Sequence, residues 1–176
     1  GPKPVRYIVN SHFHWDHSQG NSAYRRISPH ADVVSSEPTR RLISELGAAR
    51  LKASIEEAEK SLAQYKERGA NAKSAEEKAF FQRMQVEARD YVAEMRKATP
   101  ELPNVTFDHD LIIRDKAHDL HLAFRGRAHT AVSVVVFCPP LTVVATGAML
   151  PGFAPSMAVG SPHLWPRTVL HLSDFS

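Results

Sequence analysis

Apolar residues recur at strand spacing near the start of the chain, at helical spacing through its middle, and at strand spacing again towards its end. Residues 5–10 (VRYIVN) are a β-branched and aromatic run, the pattern of a buried strand that delivers a loop at its carboxyl end. Ser18-Gln19-Gly20-Asn21 is turn chemistry, residues 23–27 suit a short helix stopped by Pro29, and residues 31–35 (ADVVS) suit a second strand. Between 36 and 100 the composition shifts to Ala, Glu, Lys and Arg, as in long helices. Ser36 with Pro38 behind it starts the first of these, and Leu51, Ile55, Ala58, Leu62 and Tyr65 lie along one stripe. Gly69-Ala70-Asn71 breaks that helix. Ser74 and Glu77 have capping-box spacing, and Phe81, Met84, Ala88, Tyr91 and Met95 repeat the stripe on a second helix. The two stripes predict an antiparallel helical hairpin over 36–100. It suits a lid or substrate wall as well as an arm that packs or dimerises, because amphipathic spacing reports burial and not what is buried.

Pro100 and Pro103 end the helical stretch, and residues 105–107, 111–114, 119–124, 132–138 and 141–146 read as strands of a sheet. Leu120, Leu122 and Phe124 alternate with His121 and Ala123, which places His121 towards solvent. VSVVVF (132–137) is nearly continuous and predicts a central strand. Pro139-Pro140 makes the turn to the last strand, and the tail from 151 is loop-like with a helix near 166–172.

The length fits one domain with a buried core, spanning 1–176. A formal charge of +3, spread along the sequence, predicts neither a nucleic-acid footprint nor a polybasic membrane patch. No apolar run approaches about 18 residues, so the pattern predicts a soluble chain without a membrane span. A single cysteine, Cys138, excludes an internal disulfide and leaves the compartment, cytoplasmic or periplasmic, open. In its strand context it reads as a small buried residue. The chain opens on Gly1 rather than methionine, and a removed upstream segment is expected.

The chemistry concentrates in Ser11-His12-Phe13-His14-Trp15-Asp16-His17, at the end of the first strand. On extended chain His12 and His14 point to one side and can share an ion; Asp16 continues the alternation, and His17 turns towards a different partner. By spacing, two ligands serve a first metal and two a neighbouring one. A second histidine-bearing loop is Arg125-Gly126-Arg127-Ala128-His129-Thr130, where His129 is a candidate third ligand, although a lone histidine commonly has no metal role. Three histidines with an open fourth position would make a catalytic zinc site. His30 reads as a solvated loop residue and Ser133 as a strand serine, since no G-x-S-x-G elbow surrounds it.

SHFHWDH after a strand, then GRAHT, then a strand pair closing on VVATGAML resembles the metallo-β-lactamase superfamily. The resemblance implies an α/β fold, the αββα sandwich, here partial, with the helical hairpin inserted. It implies that His12, His14 and His129 bind a first zinc and that Asp16 and His17 contribute to a second. Asp16 is also the candidate catalytic residue. Where the family has Thr-Gly-Asp, with an aspartate bridging both metals, this chain has Thr146-Gly147-Ala148. The family's later Gly-His element would lie beyond Ser176, which leaves His163 and His171 as bystanders. Few residues precede the first motif, so half the sandwich is expected to be absent. The second site is therefore expected to be weak or empty, with one zinc held at the first.

The resemblance implies a zinc-dependent hydrolase attacking an ester, thioester, lactone or β-lactam carbonyl of a small-molecule substrate with metal-bound hydroxide; from the charge spread and the lack of a long apolar run, neither nucleic acid nor membrane is expected as partner. Loss of the bridging aspartate at Ala148 motivates an alternative, an inactive binding or assembly protein that oligomerises through the first strand's edge or the hairpin. Nuclease activity is a weaker third reading, suggested by the slightly basic balance.

Overall fold

The computed structural model describes residues 4–130, 133–150 and 160–172. The chain divides into two compact units, one of residues 1–45 and 101–176 and the other of residues 46–100.

The first unit carries two sheets. Strands β1 (Tyr7–Val9), β2 (Asp32–Ser36) and β3 (Val105–Phe107) are all parallel, in the order β1-β2-β3. Their carboxyl ends therefore emerge at one edge. The helices α1 (Trp15–Ser18) and α2 (Asn21–Ile27) lie in the crossover between β1 and β2. Strands β4 (Asp110–Ile113), β5 (Leu120–Phe124), β6 (Val134–Cys138) and β7 (Val143–Ala145) form an antiparallel meander. As expected, β6 is central in its sheet, between β5 and β7. Val34 and Phe107 of the first sheet share a buried cluster with Ile113, Leu122 and Val134 of the second, so the sheets pack face to face. A second cluster, Ala123, Ala128, Val135, Met149 and Trp165, places helix α5 (Trp165–Leu170) on the opposite face of the meander.

That double covering corrects the expectation for β5. Leu122 and Ala123, which point to opposite faces, are 0% and 1% exposed, while Leu120, His121 and Phe124 are half-buried. One-sided alternation fails where both faces of a sheet are covered. His121 consequently lies edge-on to the Phe137 ring, with centroids 6.2 Å apart, rather than freely in solvent. The opposite correction holds for β1: Tyr7 is 37% exposed and no β1 residue is fully buried. Among the described residues β1 pairs with β2 alone. The strand expected over 141–146 shrinks to Val143–Ala145, because Pro139–Leu141 form a 3-10 turn and Thr142 turns left-handed at φ 50°. Val132 and the tail over 151–159 lie outside the described residues. Cys138 is buried, and His30, His163 and His171 are exposed.

Helix α3 (Glu37–Ala70) follows β2 without a loop, and Ser36 Oγ accepts from the Thr39 backbone N–H at 3.4 Å. In the second unit the remainder of α3 and helix α4 (Ala75–Met95) run antiparallel, Ser54 meeting Tyr91 and Tyr65 meeting Phe81 and Gln85. The α3 stripe from Leu51 to Tyr65 is half-buried throughout, and Phe81 and Val92 of α4 are buried. Gly69 sits where a Cβ would come within 3.3 Å of the Phe81 Cβ. Ser74 caps α4 by accepting from the Glu77 N–H at 3.0 Å, while Glu77 Oε2 accepts from the Lys73 N–H at 2.9 Å.

Candidate metal centre

Two loops build the site. The first follows β1, where Asn10 N–H donates to the Val34 carbonyl at 2.9 Å and Ser11 carbonyl accepts from Val134 N–H at 2.7 Å. The histidine loop is thereby tied to both sheets. The second follows β5 and carries His129. Gly126 allows its sharp turn at φ 124°, where a Cβ would lie 2.8 Å from Thr168 Oγ1, and that hydroxyl donates to the Arg127 carbonyl at 2.7 Å. Thr130 and Ser133 close the loop, their hydroxyl oxygens 2.9 Å apart and the Thr130 N–H reaching Ser133 Oγ at 3.4 Å. Ser133 thus precedes β6 and braces the histidine loop, a role the strand reading gave no hint of.

His12, His14 and His129 converge. His14 Nδ1 lies 3.0 Å from His12 Nε2 and 3.1 Å from His129 Nε2, although His129 is 115 residues away in sequence. The three ligand atoms lie within 4.8 Å of one another, the group among the described residues able to hold a metal ion. His12 and His129 are buried and His14 is half-buried. Burial, and after it the neighbouring rings of His17, His14 and His129, pushes the His12 imidazole down from 6.5 to about 2. It is neutral, the form in which imidazole ligates metals. Ligand atoms around a tetrahedral zinc stand about 3.4 Å apart, from bonds of about 2.0–2.1 Å, so small ring movements suffice to admit an ion. The donor set fits.

Asp16 departs from the extended-chain expectation. The loop bends through residues 11–13, His14 is the N-cap of α1, and Asp16 falls in its first turn. Helical geometry carries the Asp16 side chain outward, 75% exposed, and leaves His17 packed on His12 with ring centroids 4.1 Å apart. Ser11 Oγ lies 3.1 Å from His12 Nδ1 and 3.3 Å from His17 Nδ1, while Asp16 Oδ2 is 3.4 Å from His17 Nε2.

Asn10 and Asn21 support this loop and escaped sequence reasoning. Both are buried, and each amide donates to the other's oxygen, at 2.9 and 2.8 Å. Asn10 Nδ2 also donates to the His17 carbonyl at 2.8 Å, and Asn21 Nδ2 to the Glu101 carbonyl at 3.0 Å. Behind His129 stands Trp165, with ring centroids 5.7 Å apart and its indole N–H donating to the Met149 carbonyl at 2.9 Å.

Two packed sheets with a helix on the outer face define an α/β sandwich, and three gathered histidines form its candidate metal site. The family model of the metallo-beta-lactamase superfamily matches residues 1–159, and the chain belongs to that superfamily. No curated protein sequence matches it. Among solved structures the chain is similar to a metallo-beta-lactamase from Pontibacter korlensis, with a TM-score of 0.62 and 20% identity over 98% of this chain and 57% of that one. Metallo-beta-lactamase IND-7 gives a TM-score of 0.57 and 14% identity, over 98% of this chain and 57% of that one. DIM-1 metallo-beta-lactamase exposed to ceftazidime gives 0.57 and 14%, over 95% and 53%. The chain spans a little over half the length of these relatives, and at such identities the likeness concerns the fold.

Proposed function

We propose that the chain is a zinc-dependent hydrolase of the metallo-β-lactamase type, acting on an ester, thioester, lactone or β-lactam. The observation that carries this reading is the meeting of His12, His14 and His129 nitrogens from two distant loops around one point. In this reading His12, His14 and His129 hold the ion, which when bound supplies Lewis acidity and acidifies water towards neutral pH. The neutral state of His12 keeps that ligand available. Asp16, exposed with a carboxylate oxygen 3.4 Å from His17 Nε2, takes a proton from incoming water at that carboxylate. Ser11 orients His12 and His17 together through one hydroxyl.

A second reading, a scaffold that binds or assembles without turnover, is favoured by Ala148, whose methyl brings no ligand to a second ion. Metal analysis of the purified chain, with hydrolysis assays on nitrocefin, a thioester and a lactone, separates the two. Zinc on the wild type, and loss of both zinc and turnover in His12→Ala and His14→Ala, support the hydrolase. Turnover unchanged in both variants would sink it.

A further inference from the structure

A cavity of about 630 Å³ in the first unit lies outside the histidine cluster. Its walls come from the ends of several elements: Arg41 and Leu42 from the first turns of α3, Asp108 and His109 from the turn after β3, Phe124 from the end of β5, and Arg127 from the His129 loop. Because β1, β2 and β3 are parallel, the turn after β3 and the start of α3 emerge at the same sheet edge as the histidine loop after β1. Ligands of open parallel sheets bind outside the carboxyl ends of the strands. Arg127 stands two residues before His129, so their Cα atoms are at most about 7.6 Å apart.

The lining has a definite chemistry. The lining includes two arginines and a histidine against one acidic residue, Asp108. The nearby Asp110 carboxylate is already held by Arg125 at 2.7 Å and is not part of the wall. The Arg41 pair with Glu45 is 3.8 Å long with both side chains more than half exposed, a contact that water and salt weaken and that leaves Arg41 free to exchange partners. Arginine presents paired N–H donors that match the two oxygens of a carboxylate or phosphate, and two of them on one cavity outweigh a single aspartate. Phe124, half-buried, and Leu42 supply an apolar wall beside the charges. The volume is that of a small-molecule pocket.

We propose that this cavity is a binding site for a small oxyanion, carboxylate or phosphate, carried on an apolar or aromatic body, with Arg41 and Arg127 gripping the anion and Phe124 and Leu42 receiving the body. The site stands apart from the metal ligands, and its occupation does not depend on zinc.

The test is isothermal titration of the full 176-residue chain with phenylacetate, phenyl phosphate and the neutral 2-phenylethanol, in chelator and again with zinc. One molecule of at least one anion is expected to bind per chain, at least tenfold more tightly than the alcohol in both conditions. Raising NaCl from 50 to 500 mM should weaken it several-fold. Arg41→Gln and Arg127→Gln, both surface changes that spare the fold, should each weaken binding at least fivefold and leave zinc content unchanged. Tighter phenylacetate identifies a carboxylate ligand and tighter phenyl phosphate a phosphate. Equal binding of the alcohol, insensitivity to both arginine changes, or anion binding seen only with zinc and lost in His12→Ala would overturn the proposal. A chain that binds the anion but no zinc would overturn the hydrolase reading and leave this one standing.

Discussion

Gly147 lies against Ser11 with its backbone at φ 56°, so close that a Cβ on Gly147 would fall 2.7 Å from Ser11 Oγ and 2.9 Å from Ser11 Cβ. The turn after β7 is thereby packed onto the residue that precedes the first histidine. Gly147→Ala meets two penalties, a left-handed backbone costing about 1–2 kcal/mol for an L-residue and a clash with Ser11, whose hydroxyl lies beside His12 and His17 and whose carbonyl is held by β6. The expected loss is roughly 2–4 kcal/mol in urea unfolding. Ser11→Gly in the same chain removes the clash and not the backbone strain, so a double-mutant cycle should give a coupling of about 1 kcal/mol or more. Additive effects would mean that the contact carries no strain.

The Asn10–Asn21 pair predicts an asymmetry between two conservative changes. Asn21→Ala leaves the Asn10 amide without one donor and one acceptor inside the fold, a cost of roughly 1–3 kcal/mol. Asn21→Asp keeps the shape and retains the acceptor, but turns an oxygen towards the Asn10 oxygen and the Glu101 carbonyl. It should cost more than alanine at neutral pH, because the buried carboxylate then faces two acceptors. Denaturation midpoints at pH 7 decide it: an aspartate variant as stable as the alanine one would contradict the assigned hydrogen bonds.

How much of this was legible follows from the range over which each rule acts. His12, His14 and His129 stood out because imidazoles at a strand end and in a small-residue loop are local signals, and the structure brings those three together. The direction of the Asp16 side chain was not legible, because a two-residue alternation does not carry through a segment whose helix starts at Trp15. The hairpin's periodicity and the Ser74 cap were readable since both are written within one turn of helix. Nothing local distinguished Asn21 from an ordinary turn residue. Its partners are Asn10 and the Glu101 carbonyl, one eleven residues away and the other eighty. Burial of Ala123 required knowing that a helix covers the second face of the meander.

Ser74 offers a test confined to the second unit. Its hydroxyl satisfies the Glu77 N–H, one of the donors that the first turn of α4 leaves unpaired. Ser74→Ala should destabilise the helix by about 1 kcal/mol, and Ser74→Asp, which caps equally well and favours the helix dipole, should not. Amide exchange in the first turn of α4 reports the change locally, and zinc content should be the same in all three proteins. Equal protection in the alanine variant would show that the cap contributes nothing.

Metal stoichiometry tests the division of the histidine motif. Three imidazoles converge on one point, while Asp16 and His17 supply two donors, short of the usual four around zinc. The wild-type chain should therefore retain about one zinc after dialysis, and zinc at a hundredfold excess over its Kd should raise stability by about 2.7 kcal/mol. His129→Ala removes a ligand of the first ion and should abolish both. Asp16→Asn should leave the retained zinc and the stabilisation unchanged, since its carboxylate lies outside the three-histidine group. Ala148→Asp adds a carboxylate one residue from Gly147, which already touches Ser11, and should raise the retained zinc towards two. A wild-type chain that holds two ions would show that His17 and Asp16 form a competent second site without help. An Ala148→Asp chain that stays at one would show that the turn after β7 does not bring a side chain to the metals.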